Sequence, residues 1–202
     1  MNYKAFSVFA ALFCFALVQT AFAAPSVKNP EVVMQVEGRG AMTIELYQKD
    51  APKTVDHFLK LVKKKFYNGI LFHRVIPGFV AQAGDPNSRK IKGSLIRNLS
   101  DQQVFERYHL GAGGSGVNIP FEQNSLTNQP GTLAMALSQP QSNTADSQFF
   151  INLVYNASLD GNYCVFGKVV KGMKVLKSIR QGDRILTVKL LVVSHKTKPH
   201  TK

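Results

Sequence analysis

Two stretches near the beginning of the chain alternate apolar and polar residues, which is the pattern of strands with one buried face. The first covers residues 32–37, the second covers residues 42–47, and a Gly-Arg-Gly connection joins them. This arrangement predicts a two-strand hairpin. The next segment has helical spacing, because apolar residues recur every three or four positions between residues 55 and 66. Since Pro52 suits a first helical turn and Asn-Gly follows the run, the pattern predicts an α-helix.

Apolar runs in the second half of the chain predict further buried strands, separated by turns. The predicted strands cover residues 131–137, 149–153, 165–170 and 186–194, and a second helix is predicted over residues 172–180. Many strands with only two helices indicate a mainly β fold, and we expect a closed antiparallel β-barrel.

The stretch from residue 72 to residue 85 has the clearest chemical character. It reads Phe-His-Arg-Val-Ile-Pro-Gly-Phe-Val-Ala-Gln-Ala-Gly-Asp, in which two apolar runs flank a Pro-Gly pair. The pair predicts a tight hairpin, whose alternation places Arg74 and Gln82 on one face, with Phe79 beside the turn. A cation, an amide and an aromatic ring would then share one shallow surface. On these residues alone, a half-buried hairpin whose arginine caps a sheet edge is an equally good interpretation.

Residues 86–120 show no sustained periodicity, and only residues 104–108 are compatible with one turn of helix. Residues 111–116 read Gly-Ala-Gly-Gly-Ser-Gly. This run has neither the Lys-Ser or Lys-Thr ending of a phosphate-binding loop nor a strand leading into it. We therefore expect a flexible connector here.

The amino-terminal residues have the layout of a secretory signal peptide: Lys4, an apolar run over residues 5–18, and small residues at positions 21–24. Cleavage after Ala23 would make residues 1–23 the signal peptide and residues 24–202 a single domain. The apolar run has about 14 residues, fewer than the roughly 20 that span a bilayer, so we expect no membrane anchor. The protein is predicted to be exported, with the periplasm favoured and secretion or the endoplasmic reticulum lumen as alternatives.

Charge and cysteine content narrow the chemistry. The chain has 25 basic and 12 acidic residues, and removal of Lys4 leaves 24 minus 12, a net charge of +12. Aromatic residues are not interleaved with the basic ones as a nucleic-acid stacking platform requires, so no nucleic-acid partner is expected. Loss of Cys14 with the signal peptide leaves Cys164 in an apolar run, where we expect a buried structural thiol. The histidines show no metal-ligand spacing, and we expect neither a metal nor another cofactor.

Further motifs follow the stretch at residues 72–85 in a fixed order. They are Gly-Thr-Leu-Ala-Met-Ala at residues 131–136, Ser-Gln-Phe-Phe-Ile at 147–151, Leu-Asp-Gly at 159–161 and Val-Phe-Gly-Lys-Val at 165–169. This set resembles the cyclophilin family of peptidyl-prolyl isomerases, over nearly the whole chain after residue 30. The resemblance implies a closed eight-stranded antiparallel β-barrel capped by two α-helices, in a monomer. It also implies that residues 86–110 are a surface insertion.

The resemblance implies roles for individual residues. Arg74 would lower the barrier to rotation about an X-Pro bond, and Gln82 would hold the substrate backbone and support Arg74. The residues implied to bind substrate are the proline pocket of Phe79, Val80, Phe150 and Leu159, the flanking Ala136, Gln148 and Tyr163, and the site-lining His73.

Some positions depart from the family pattern. Val80 is smaller than the usual Met, Ala83 replaces a Gly, and Tyr163 replaces a frequent His. Ser158 stands where many eukaryotic members have a Trp that packs on cyclosporin. Because Ser158 lacks that ring, we expect weak cyclosporin binding.

Together these features predict a peptidyl-prolyl cis-trans isomerase that accelerates X-Pro isomerisation during the folding of exported proteins. Its expected partners are unfolded or partly folded polypeptides that contain proline. The alternative is a proline-recognition chaperone or binding module that uses the same pocket with little turnover. The presence of both Arg74 and Gln82 favours the enzyme, because binding alone needs only the aromatic floor.

Overall fold

The structure is a computed structural model that describes residues 28–191. The predicted signal peptide, its cleavage site and the end of the last predicted strand lie outside the described residues. The strands are β1 (Glu31–Val36), β2 (Gly40–Leu46), β3 (Arg74–Val75), β4 (Val80–Ala83), β5 (Thr132–Met135), β6 (Phe149–Asn152), β7 (Val165–Lys171) and β8 (Ile185–Leu190). The α-helices are α1 (Pro52–Lys63), α2 (Asp101–Tyr108) and α3 (Met173–Ser178). Short 3₁₀ helices cover Pro86–Lys90, Gly93–Leu95 and Ala157–Leu159.

The strands form one antiparallel sheet with the order β3-β4-β6-β5-β7-β2-β1-β8. The prediction of a mainly β fold with eight antiparallel strands is confirmed. The prediction of a closed barrel is wrong, because β3 and β8 are the edges of a curled half-barrel. The reason is that β3 has only 2 residues. The chain before it meets the start of β8 through an isolated bridge between Leu71 and Arg184, not through a ladder.

The β1–β2 hairpin forms as the alternation predicts. Val32 pairs with Ile44, and Met34 pairs with Met42. These four side chains are at most 1% exposed and belong to the largest hydrophobic cluster of the structure. Pairing of β2 with β7 and of β1 with β8 extends the same buried face across the sheet.

Helix α1 covers this cluster. It begins at Pro52, whose fixed φ suits a first helical turn. On its buried face, the ring centroid of Phe58 lies 4.9 Å from that of Tyr67, 5.3 Å from Phe166 and 5.8 Å from Phe149. These aromatic contacts join the helix to β6, β7 and the chain that leads into β3.

Residues 86–110 are more regular than their sequence suggested. They contain helix α2, of which the sequence analysis predicted only a turn, so the described residues have three α-helices where two were expected. The hydroxyl of Ser100 accepts a hydrogen bond from Gln103 N, and the Gln103 side chain accepts one from Ser100 N. This capping box satisfies two backbone donors at the start of α2.

A separate hydrophobic cluster attaches residues 86–110 to the chain that precedes β3. Its buried members are Leu71, Ile96, Val104 and Leu110, each at most 3% exposed. The buried hydroxyl of Ser88 also accepts a hydrogen bond from Leu71 N at 3.0 Å. The segment therefore packs close to Arg74, three residues after Leu71. That it is a surface insertion relative to the family stays a prediction.

Candidate active site

The hairpin of β3 and β4 sets the geometry of the site. Arg74 and Gln82 are paired residues of the ladder, and Ile76 N donates to Val80 O across the turn. Arg74 Nη1 donates to Gln82 Oε1 at 3.3 Å, and the guanidinium carbon lies 5.7 Å from the centroid of the Phe79 ring. The predicted convergence of a cation, an amide and an aromatic ring is thus present.

A second amide extends this network. Gln82 Nε2 donates to Gln148 Oε1 at 3.0 Å. In turn, Gln148 Nε2 donates to the backbone oxygens of Gly111 and Gly113 at 2.9 and 2.8 Å. Because each amide is held at both ends, the carbonyl of Gln82 is oriented towards Arg74.

A cavity of about 310 Å³ opens beside the guanidinium, with polar groups at its rim and an apolar floor. Val80, Ala134, Phe150 and Val165 form a buried cluster beneath it, each at most 5% exposed. The ring of Tyr163 meets that of Phe150 edge-on at 5.5 Å. The residues that line the cavity are Arg74, Phe79, Val80, Gln82, Ala136, Leu137, Phe150, Leu159 and Tyr163. A cavity of this size with an apolar floor and one cation at its rim suits a small aliphatic ring next to a polar group.

The glycine-rich run beside this cavity is held in place, contrary to the expected flexible connector. Asp85, which is fully buried, accepts hydrogen bonds from Gly111 N at 2.7 Å and Gly113 N at 3.0 Å. A Cβ on Gly113 would lie 2.2 Å from an Asp85 oxygen, and one on Gly114 would lie 2.2 Å from an Asp146 oxygen. Glycine is therefore needed where the backbone approaches these carboxylates. This run lines a second cavity, of about 260 Å³, which shares Gln82, Ala136 and Leu137 with the first.

The comparisons with known proteins agree with this geometry. The family profile described as "Cyclophilin type peptidyl-prolyl cis-trans isomerase/CLD" matches residues 31–197. The chain belongs to this family. Cyclophilin-type peptidyl-prolyl cis-trans isomerase function is accordingly supported, and the alternative of a binding module with little turnover is not favoured.

Alignments with individual relatives extend over most of this cyclophilin. A peptidyl-prolyl cis-trans isomerase of Synechococcus elongatus is 37% identical over 163 residues, which cover 80% of this chain and 96% of that protein. One of Helicobacter pylori is 39% identical over 154 residues, or 74% of this chain and 80% of that protein. A crystal structure of a Cryptosporidium parvum cyclophilin, determined in the presence of the dipeptide Ala-Pro, has a TM-score of 0.64 at 25% identity and covers 81% of this chain and 99% of that one.

The structure brings most of the predicted site residues together around the two cavities. Those lining the first are Arg74, Phe79, Val80, Gln82, Ala136, Phe150, Leu159 and Tyr163, and Gln148 lines the second. His73 is the exception: it is 2% exposed and is not among the residues that line either cavity. Burial lowers the pKa of its imidazole to about 4. Contact of His73 with substrate stays a prediction without support from this geometry.

Two residues near the cavity were not foreseen. Leu137 lines both cavities. Asp101, the first residue of α2, accepts a hydrogen bond from Arg74 Nε at 2.6 Å. The only sequence signal for it is the Ser-x-x-Gln capping pattern at residues 100–103, which marks the start of a helix and says nothing of what the helix approaches.

The structure also bears on the expected chemistry away from the pocket. Cys164 is 3% exposed, which confirms the prediction of a buried thiol, and burial raises the pKa of this thiol to about 11. Within residues 28–191, no group of three or more His, Cys, Asp or Glu residues could hold a metal ion. None of the helices in that range is long and apolar enough to cross a membrane.

Proposed function

We propose that this cyclophilin isomerises X-Pro bonds with Arg74 as its catalytic residue and the cavity of about 310 Å³ as the pocket for the pyrrolidine ring. The observation that carries the proposal is the position of the guanidinium. It lies at the rim of a cavity with an apolar floor, is hydrogen-bonded to Gln82 and lies above Phe79. A proline ring on the floor formed by Phe150 would bring the prolyl nitrogen to this rim.

The physical basis is the difference between the planar and the twisted amide. Resonance keeps the X-Pro bond planar, and rotation about it has a barrier of about 18–20 kcal/mol. As the bond twists, resonance is lost and the prolyl nitrogen regains a basic lone pair. A guanidinium N–H that donates to this lone pair binds the twisted state more tightly than either planar state. Only such differential binding lowers the barrier.

The substrates we propose are proline-containing segments of unfolded or partly folded polypeptides. The rim of the pocket is open, so a chain can lie across it while one proline occupies the apolar floor. The Cryptosporidium parvum relative, whose crystal structure was determined in the presence of Ala-Pro, supports a site of this kind. We propose that Gln82, whose Nε2 has a second hydrogen beyond the one donated to Gln148, holds the peptide backbone beside the proline, with Gln148 lining the flank.

We further propose that the protein acts as a monomer on exported clients, with the periplasm as its location. The support for export is the signal-peptide layout of the first residues. Weak cyclosporin binding, based on Ser158, belongs to the same proposal. Expression of the full chain in a bacterial host, followed by fractionation and amino-terminal sequencing, tests export; an uncleaved chain that stays in the cytoplasm would contradict it.

The test of the catalytic assignment is Arg74→Ala, measured by NMR exchange on an X-Pro peptide. We expect a loss of about 2–4 kcal/mol of transition-state stabilisation, or about 30- to 1000-fold in rate, with peptide binding largely retained. Arg180→Ala, which removes an exposed arginine outside both cavities, is the matched control and should exchange the peptide at the wild-type rate. An Arg74→Ala protein with the wild-type rate would exclude Arg74 as the catalytic residue.

A further inference from the structure

The guanidinium of Arg74 is held by two groups from different parts of the chain. Gln82, on the paired strand β4, accepts from Nη1 at 3.3 Å. Asp101, on helix α2, accepts from Nε at 2.6 Å. Among residues 28–191, no hydrogen-bond partner is found for Nη2. Two of the three guanidinium nitrogens are thus held by protein groups, and the third has donors available for a substrate.

The backbone of Asp101 is held in place by the capped start of its helix. Ser100 caps α2 through the reciprocal hydrogen bonds with Gln103. Val104, one turn further on, is 2% exposed and packs with Leu71 in the separate cluster. Asp101 is therefore presented from a capped and packed helix, so its position is set by the fold.

A buried amide ties the same segment to the strand that carries Arg74. Gln181, which is 7% exposed, accepts a hydrogen bond from Val75 N at 3.2 Å through its Oε1 atom. Its Nε2 atom donates to Ile96 O at 2.7 Å and to Leu99 O at 2.8 Å. One side chain thus links the residue after Arg74 with the chain leading into α2. The distance between Arg74 and Asp101 is fixed by this link as well as by their own contact.

A carboxylate beside a catalytic cation has two opposing effects. It reduces the positive potential at the guanidinium, and it limits the rotamers that a long side chain would otherwise sample. The side chains of Asp101 and Arg74 are 43% and 30% exposed, so solvent screens much of the charge effect. Solvent does not weaken the limit that Asp101 sets on the rotamers of Arg74, and catalysed reactions depend steeply on the placement of the reacting groups. The gain from a correctly placed guanidinium should therefore outweigh the loss from its reduced positive potential.

We propose that Asp101 is a positioning residue for Arg74, through which residues 86–110 contribute to catalysis of X-Pro isomerisation. The proposal rests on the catalytic role of Arg74 stated above. Asp101 acts through Arg74 and needs no contact with the peptide. It holds Nε, Gln82 holds Nη1, and the guanidinium is thereby aimed at the prolyl nitrogen before the substrate arrives.

The test is a double-mutant cycle between Arg74→Ala and Asp101→Ala, with exchange rate and peptide affinity measured separately by NMR. We expect Asp101→Ala to lower the maximal exchange rate about 5- to 20-fold and to change peptide affinity by less than about twofold. In the Arg74→Ala background, Asp101→Ala should change the rate by less than about twofold. A residue that only supports the fold would lower the rate in both backgrounds.

Two further variants complete the design. Asp101→Asn keeps an acceptor of the same size, so it should lose less activity than Asp101→Ala, and it serves if the alanine variant fails to fold. Glu106→Gln removes an exposed carboxylate from the same helix and should keep the wild-type rate. A wild-type or higher rate in both Asp101 variants would overturn the positioning role, as would an undiminished effect in the Arg74→Ala background. Full activity of Arg74→Ala itself would instead overturn the catalytic assignment, so the two failures are distinguishable.

Discussion

The sheet covered by α1 and the segment of residues 86–110 are packed in different ways. The first contains one large cluster of apolar side chains, among them Phe58 and Met34, which are fully buried. The second has a much smaller apolar cluster around Val104, supplemented by buried polar groups such as Ser88 and Gln181. Stability of the first should depend mainly on apolar packing over its backbone ladders. Attachment of the second should depend also on hydrogen bonds and on the charge state of its surroundings.

Asp183 illustrates the polar character of that attachment. Its carboxylate accepts hydrogen bonds from Arg39 Nε at 2.7 Å, from Arg180 N at 2.8 Å and from Arg97 at 3.3 Å. Burial favours the neutral acid, but the hydrogen bonds from Arg39 and Arg180 N outweigh it and lower the pKa of this carboxyl. Since Arg97 belongs to residues 86–110, an ionised Asp183 helps to hold the segment on the body of the protein.

The largest expected change in folding stability comes from titration of His73, which lies beside the glycine run. It tests whether the attachment of residues 86–110 depends on charge in a way that the sheet does not. Burial lowers its pKa from 6.5 to about 4; the charges of Asp85 and Asp101 oppose this change and Arg74 adds to it. As the pH falls below 6.5, the unfolded chain therefore binds a proton that the folded protein does not. Stability is retained above pH 6.5 and falls towards pH 4, by about 3 kcal/mol in total. Urea unfolding of wild type and His73→Asn at pH 7 and pH 4 measures this loss, which the variant should not show.

The matched control for His73→Asn is His109→Asn. His109 is exposed and has a φ of 52°, a conformation that asparagine tolerates. This variant should keep the pH dependence of the wild type. If His73→Asn keeps it too, then acid sensitivity arises elsewhere, and the proposed difference between the two regions loses its main electrostatic support.

The same contrast explains which features could be predicted from the sequence. The β1–β2 hairpin follows from alternation over neighbouring residues. The pairing of Arg74 with Gln82 follows from the Pro-Gly turn between them. Both features depend on residues that are close in sequence, so the sequence pattern is enough to predict them. The departure from a closed barrel depends on how far β3 and β8 run beside each other, which no periodicity within either strand determines.

The features that sequence analysis missed depend on contacts between distant residues. The glycine run looks flexible in isolation, but Asp85 and Asp146 bind its backbone. Helix α2 has a readable capping box, yet its position beside Arg74 depends on the buried Gln181, about 80 residues further along the chain. The proline pocket could be assigned by resemblance, whereas the Asp101 contact could not, because nothing in the order of residues indicates where that segment packs.

A matched pair of valine substitutions compares the two regions directly. Val55 on α1 is fully buried in the large cluster, and Val104 on α2 is 2% exposed in the small one. Val55→Ala should lower the free energy of unfolding by about 2–3 kcal/mol, since the surrounding sheet cannot close over the cavity. Val104→Ala should lower it by only about 1–2 kcal/mol, because a segment with few apolar neighbours can collapse.

Guanidinium unfolding measures both losses, and hydrogen exchange shows where they act. In Val104→Ala, protection of amide hydrogens from exchange should fall mainly in residues 96–110. The cis-trans exchange of an X-Pro peptide should also slow in this variant, because α2 carries Asp101. In Val55→Ala, protection should fall throughout the sheet. If the two variants lose the same free energy of unfolding and show the same pattern of amide hydrogen exchange, then the two clusters unfold as one unit.

The smallest expected effect is the labelling of the Cys164 thiol in the native protein. The rate of this labelling measures how often the sheet opens. Burial, the largest cause, raises its pKa from 9.0 to about 11, so the thiolate fraction at pH 8 falls about 100-fold even before access is considered. In a Cys14→Ala background, Cys164 should resist an aromatic disulfide reagent in the native protein and react at once in guanidinium.

A second thiol, placed in the segment of residues 86–110, sharpens the comparison. It is Val104→Cys, made together with Cys14→Ala and Cys164→Ala. The reagent should label it faster than Cys164, because residues 86–110 open locally while the sheet opens only by global unfolding. Labelling of both thiols at one rate would show that the segment is as firmly held as the sheet, and that its polar contacts stabilise it as well as apolar packing does.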